Sequence, residues 1–316
     1  MLSVFQQVLI LVLFCTAGYI LCKKDLLSAD QTKILSALEI YVFGPCMTFN
    51  TFVSNFNVTY IREKYPMLIM GGVFLLLTFL FANVAAKRFT KHPYNYWIYH
   101  YSCVAPNYGF MGYPLCLALF GEGVLMDMMI FVIPLGIYVN TVGYNTLTQN
   151  NNAKLLKQIF TPGMIAIILG AIVGVSGLTL PSVLDQAVGI AADCMSPVSM
   201  LLTGIVISQY NLKELLLNKK AYALAVLRLL VIPVAVFGVM KAVTQLLLWV
   251  GLTQLAAAMA PVAVVAILTY AMPCGMNTIV FPKLVGEDCK IGASAVLITT
   301  LAALATMPLC VHFLIG

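Results

Sequence analysis

The chain has 316 residues, of which 62% are hydrophobic and 9% charged, with a formal net charge of +6 and a mean hydropathy of +0.99. That balance excludes a water-soluble domain and indicates a polytopic membrane protein. Strand-type alternation is absent, which excludes a membrane β-barrel.

Apolar runs of about 20 residues, each able to cover the ~30 Å hydrocarbon core as helix, recur along the chain. The first, Val4 to Cys22, lacks a basic segment before it and a small-residue cleavage site after it, so it reads as a retained helix and not a signal peptide. The pattern predicts ten spans near 4–22, 29–53, 66–86, 94–120, 124–147, 162–179, 183–207, 220–241, 255–282 and 291–315. They divide into two five-helix halves, 1–147 and 162–316, joined by a cytoplasmic linker at 148–161 that carries the polar stretch "TQNNNAKLLKQ".

Basic residues set the expected orientation. With the N-terminus outside, twelve fall in inner loops (Lys23, Lys24, Lys87, Arg88, Lys91, Lys154, Lys157, Lys213, Lys219, Lys220, Lys283 and Lys290). Three (Arg62, Lys64 and Lys241) fall outside. This excess predicts both termini outside and explains the positive charge as a topology signal beside lipid headgroups, with no nucleic-acid partner. The nine cysteines lie in or beside spans without metal-ligand spacing, as small buried apolar residues do. The sequon Asn57-Val58-Thr59 falls in an expected outer loop and reads as a chance occurrence.

A repeat is visible at one offset. Gly18 and Gly170, Leu26 and Leu178, and Pro45 and Pro197 are each 152 residues apart. Five spans per half would insert the second copy with opposite orientation, as inverted-repeat transporters do. The fourth span of each half carries helix breakers, "APNYGFMGYP" at 105–114 and "AMPCGMNTIVFP" at 271–282. Non-helical backbone at mid-membrane is tolerated only where it lines a protein-enclosed cavity. Two such breaks in corresponding helices predict a substrate site where they cross.

Pro106 removes an N–H, Asn107 suits an N-cap, and Gly109 and Gly112 permit close backbone approach; Pro273, Gly275 and Asn277 repeat the arrangement. Outgoing half-helices would turn N–H groups and positive dipole ends to the midplane, a field suited to a small carboxylate. The asparagine amides would donate to that anion without adding fixed charge.

"PNYGFMGYP", "GPCMTF" and "PCGMNTIVFPK" resemble the fourth-helix, second-helix and ninth-helix segments of the auxin efflux carrier family, which includes bacterial malate and malonate permease-like members and the plant PIN carriers. The resemblance spans nearly the whole chain. It implies an all-α membrane fold of ten transmembrane helices in two inverted repeats, NhaA-like and bile-acid-symporter-like, with helices four and nine broken and crossed. It also implies a scaffold and a transport domain, elevator movement and organic-anion substrates. By position, Pro106 and Pro273 match the crossover prolines and Asn107 the carboxylate-contacting asparagine, while Cys274 stands directly after Pro273, where the match of Asn277 is looser. The long cytosolic loop of many plant members is absent, which points to a bacterial-type carrier of the inner membrane.

Two acids near the midplane, Glu39 and Asp193, precede Pro45 and Pro197 by six and four residues. Each lies roughly 14 Å deep by helix rise. Either would suit a coupling H⁺ or Na⁺, or a structural salt bridge with Lys33 or Arg228. Arg228 would otherwise attract the anion or snorkel to the inner face. No cofactor or metal is expected, and a homodimer is a compatible assembly. A polytopic membrane enzyme or a non-transporting sensor or channel are the alternatives. The three histidines, His92, His100 and His312, form no catalytic or metal spacing.

Overall fold

The computed structural model describes residues 2–27, 31–149 and 158–315, and among them every regular element is helical. In chain order these are α1 (Leu2–Lys23), α2 (Gln31–Leu38), α3 (Gly44–Asn55), α4 (Val58–Phe89), α5 (Pro93–Val104), α6 (Tyr113–Phe131), α7 (Ile133–Tyr138), α8 (Tyr144–Thr148), α9 (Pro162–Ser176), α10 (Ser182–Asp193), α11 (Met195–Ser208), α12 (Leu212–Leu216), α13 (Lys219–Val226), α14 (Ile232–Trp249), α15 (Thr253–Ala271), α16 (Asn277–Leu284) and α17 (Lys290–Cys310). Short π-helical turns at Glu39–Phe43, Tyr108–Gly112, Val139–Gly143 and Leu227–Val231 join α2 to α3, lead into α6, join α7 to α8, and join α13 to α14.

Six stretches among the described residues are long and apolar enough to cross a membrane: Arg62–Phe89, Tyr108–Phe131, Ser182–Ser208, Lys219–Trp249, Thr253–Ala271 and Lys290–Ile315. Large apolar side chains such as Leu80, Val84, Ile172, Val183 and Trp249 are exposed on the outside, as expected where the solvent is lipid.

The helix ends follow local chemistry. Asn57 Oδ1 accepts from Tyr60 N at 2.9 Å and starts α4 eight residues earlier than the apolar pattern predicts, so the sequon asparagine is an N-cap. Thr161 caps α9 ahead of Pro162, and Gly177, in the left-handed region, ends it. The loop expected at 121–123 reduces to Gly121 (φ 79°), a kink inside α6. Much of the linker lies outside the described residues, which stop at 149 and resume at 158.

Packing sorts the helices into two groups. In one, α1 lies against α11, and α9 and α10 lie against α3; in the other, α4 packs on α5 and α6, α14 on α15, and α13 on α17. The first group is held by close backbone approach. A Cβ on Gly18 would fall 2.2 Å from Leu201 O, and one on Gly170 would fall 3.0 Å from Phe49 O. Among the described residues the nine cysteines are free, and no His/Cys/Asp/Glu group is placed to hold a metal ion.

Candidate functional site

The two interrupted helices meet at their breaks, and their broken backbones pair. Helix α5 ends at Val104 and α15 at Ala271, after which Pro106 and Cys274 form an antiparallel bridge. Asn107 N donates to Pro273 O at 2.8 Å, and Gly275 N donates to Ala105 O at 3.1 Å. Pro106 and Pro273 force the breaks because neither has an N–H to continue its helix. The reciprocal bonds then satisfy groups that would cost several kcal/mol if left open in lipid.

Neighbouring elements satisfy further groups. Cys274 N donates to Thr299 Oγ1 of α17 at 3.1 Å, and Tyr101 O accepts from Ala105 N at 2.8 Å. Gly275 O accepts from Thr278 Oγ1 at 2.8 Å. Cys103 O and Met272 O, at the ends of the two incoming half-helices, accept from one guanidinium: Arg228 Nη1 at 2.7 Å and Nε at 3.1 Å. Arg228 is fully buried, with its Cζ 5.8 Å from the centroid of the Tyr270 ring. A cation at helix C-termini opposes their negative dipole ends.

This corrects the sequence-based expectation for Arg228, which neither snorkels nor pairs with Glu39. Its side chain leaves the π turn at Leu227–Val231 and reaches inward to α5 and α15. Counting depth along one helix does not reveal which neighbours that side chain faces.

Asn107 is 3% exposed, and its Oδ1 has no hydrogen-bond partner among the described residues. The expected side-chain cap is absent; the following π turn is instead closed on the Asn107 carbonyl, which accepts from Gly112 N at 3.0 Å and Met111 N at 3.3 Å. The amide is therefore not used for capping. Because amide O and N exchange by a flip, either orientation leaves polar capacity for a ligand. Asn277 is not the cap of α16 either, since Met276 precedes it; its Nδ2 donates to Tyr101 Oη at 3.2 Å.

The glycines divide. A Cβ on Gly275 would lie 3.2 Å from Ala105 O and 3.4 Å from Pro106 O, so close approach is required there. Gly109 meets open space instead, contrary to the expected close contact, and a Cβ on Gly112 would meet the flexible end of Met128 at 2.8 Å, with Asn107 O and Tyr108 Cβ at 3.5 Å.

The two acids occupy different environments. Glu39 is 2% exposed; Ser199 of α11 donates to its Oε1, while Oε2 has no partner among the described residues. Asp193, at the end of α10, is exposed. Lys33 lies in α2, but its side chain is outside the described ones. Among the described residues the ion pairs join Lys64 to Asp127 (2.7 Å) and Lys290 to Glu214 (3.3 Å).

Sequence reasoning missed Tyr101, Thr299 and Tyr270. Tyr101 stacks on Tyr138 (6.1 Å between centroids) as well as binding Asn277. The aromatic run "YNYWIYHYS" just before the first break could have signalled it; nothing local distinguishes Thr299.

A helical membrane body with two broken helices paired at their breaks, and beside them a buried Asn107 Oδ1 that has no partner among the described residues, has the architecture of a membrane transporter. The chain belongs to the family described as membrane transport protein, that of the auxin efflux carriers, which matches residues 3–156 and 148–311. It is 26% identical to an uncharacterized transporter of Methanocaldococcus jannaschii across 96% of both chains. A second relative, an uncharacterized transporter of Schizosaccharomyces pombe, is 26% identical over 90 residues, 28% of this chain and 20% of that one. The resemblance seen in "PNYGFMGYP" therefore holds, and the chain is a transporter rather than a membrane enzyme.

Proposed function

We propose that this chain is a secondary-active carrier of small organic anions, such as malate, malonate or other carboxylates, which binds the carboxylate at the crossover and moves it by an elevator-type step. The observation that carries this reading is the buried Asn107 side chain beside the paired breaks, whose Oδ1 has no partner among the described residues. The N-terminal ends of the outgoing half-helices, at Tyr108 and Asn277, supply positive dipole ends for the anion. Open space next to Gly109 offers room for it.

In this reading the chain crosses the membrane ten times as two inverted repeats, 1–147 and 162–316, with 148–161 as the cytoplasmic linker and both termini outside, in a bacterial inner membrane. Two contacts support the pseudo-symmetry. Gly18 meets Leu201 and Gly170 meets Phe49, and the same 152-residue offset that relates the glycines relates their partners. The group containing α1 and α11 would be the scaffold, and the group containing the crossover would move. Glu39, buried with one oxygen unpartnered among the described residues, is the foremost candidate for H⁺ or Na⁺ coupling.

The test is uptake of radiolabelled malate and malonate into proteoliposomes. Saturable uptake with counterflow supports a carrier. Flux without counterflow would indicate a channel, and binding without flux a sensor.

A further inference from the structure

We propose that Arg228 is the built-in counter-charge of the crossover, a positioning residue that joins the two incoming half-helices and brings the crossover to formal neutrality when one negative charge is bound. The inference rests on the carboxylate reading above and extends it to the charge the site accepts.

Arg228 is fully buried, yet among the described residues its partners are two backbone carbonyls and not a carboxylate, and its Nη2 has none. The buried acids face other groups: Asp127 pairs with Lys64 and Tyr60, and Glu39 accepts from Ser199 through one oxygen. What opposes the guanidinium is the pair of C-terminal ends at Cys103 and Met272, each carrying roughly half a negative charge. One positive charge therefore balances two half-helix ends. The two outgoing N-terminal ends together carry about one positive charge, and one carboxylate would cancel it. Loaded with a monoanion, the charges at the crossover sum to zero; empty, they sum to one positive charge. The second charge of a dicarboxylate would exceed this balance.

Arg228 also has a geometric task. Its two donors bridge the ends of α5 and α15, a further tie between the two breaks beside the Asn107–Pro273 and Gly275–Ala105 bonds. The planar fork of arginine reaches two carbonyls where the point charge of lysine would serve one.

The experiment uses the full chain in proteoliposomes, with lactate and malonate as probes and a potassium diffusion potential as the variable. Exchange of labelled for unlabelled probe reports only loaded movements. A full charge crossing the entire field is worth ~2.3 kcal/mol per 100 mV, or about 50-fold in rate. The expected result is that wild-type lactate exchange changes by less than about 2-fold over that step, whereas malonate exchange responds to it. In Arg228→Gln, lactate exchange should become voltage-dependent; in Arg228→Lys it should stay voltage-independent although slower. A purely structural role would slow exchange without altering its voltage dependence. Voltage-dependent lactate exchange in the wild type, or unchanged voltage independence in Arg228→Gln, overturns the assignment while leaving the carboxylate site intact. If Arg228→Gln does not fold, the wild-type contrast between lactate and malonate together with Arg228→Lys decides. Failure of both probes to exchange in the wild type removes the carboxylate reading and this inference with it.

Discussion

Replacing Asn107 by alanine separates binding from folding, because the structure assigns the side chain no structural bond to lose. The backbone of Asn107 carries the local architecture: its N–H donates to Pro273 O at 2.8 Å, and its carbonyl accepts from Gly112 N and Met111 N. Alanine keeps all three. The side chain itself makes no cap bond, and its Oδ1 has no partner among the described residues, so its removal leaves no new orphan group. Binding should respond differently, since a donor to a charged acceptor contributes about 1.5–3 kcal/mol, or roughly 10- to 150-fold in affinity. Thermal melting gives the folding effect, and the ligand-induced rise in melting temperature with malonate or malate gives the binding effect. An Asn107→Ala protein that melts like wild type should show a weakened ligand shift. Unchanged affinity would refute the ligand role; a large loss of stability without ligand would show that the side chain is structural after all.

Three further predictions follow from the geometry. If buried Glu39 carries the coupling ion, Glu39→Gln abolishes gradient-driven uptake and spares counterflow, while Asp193→Asn, at an exposed position, leaves both intact; full gradient-driven uptake by Glu39→Gln would dismiss the coupling role. Gly275→Ala pushes a methyl against Ala105 O and Pro106 O, backbone atoms already held by the crossover bonds, and should lower stability by about 1–3 kcal/mol in thermal melts. Tyr101→Phe keeps the stack on Tyr138 but removes the bond from Asn277 Nδ2; a stability loss of about 0.5–1.5 kcal/mol is expected, and a melting curve identical to wild type would remove that bond from the account.

Much of this molecule was decided by the covalent chemistry of single residues and was legible from the chain alone. The apolar runs require lipid, because a chain with 9% charged residues has too little polar surface for water. The breaks at Pro106 and Pro273 follow from two missing N–H groups, and the structure pairs the two broken backbones. Other features depended on contacts between segments distant in sequence. Glu39 and Asp193 occupy similar positions before matching prolines, yet one is buried and the other exposed, because burial depends on which neighbouring helix covers a face. Asn107 and Asn277 looked like caps by residue type, but the turn after Asn107 closes on its own carbonyl and Tyr101 takes the amide of Asn277. Arg228 is the clearest case: helix rise placed its Cα near the inner face, whereas its hydrogen bonds reach carbonyls 125 and 44 residues away in the chain. A proline breaks its helix wherever it stands, but a buried polar atom acquires its role only from the groups that packing brings to it.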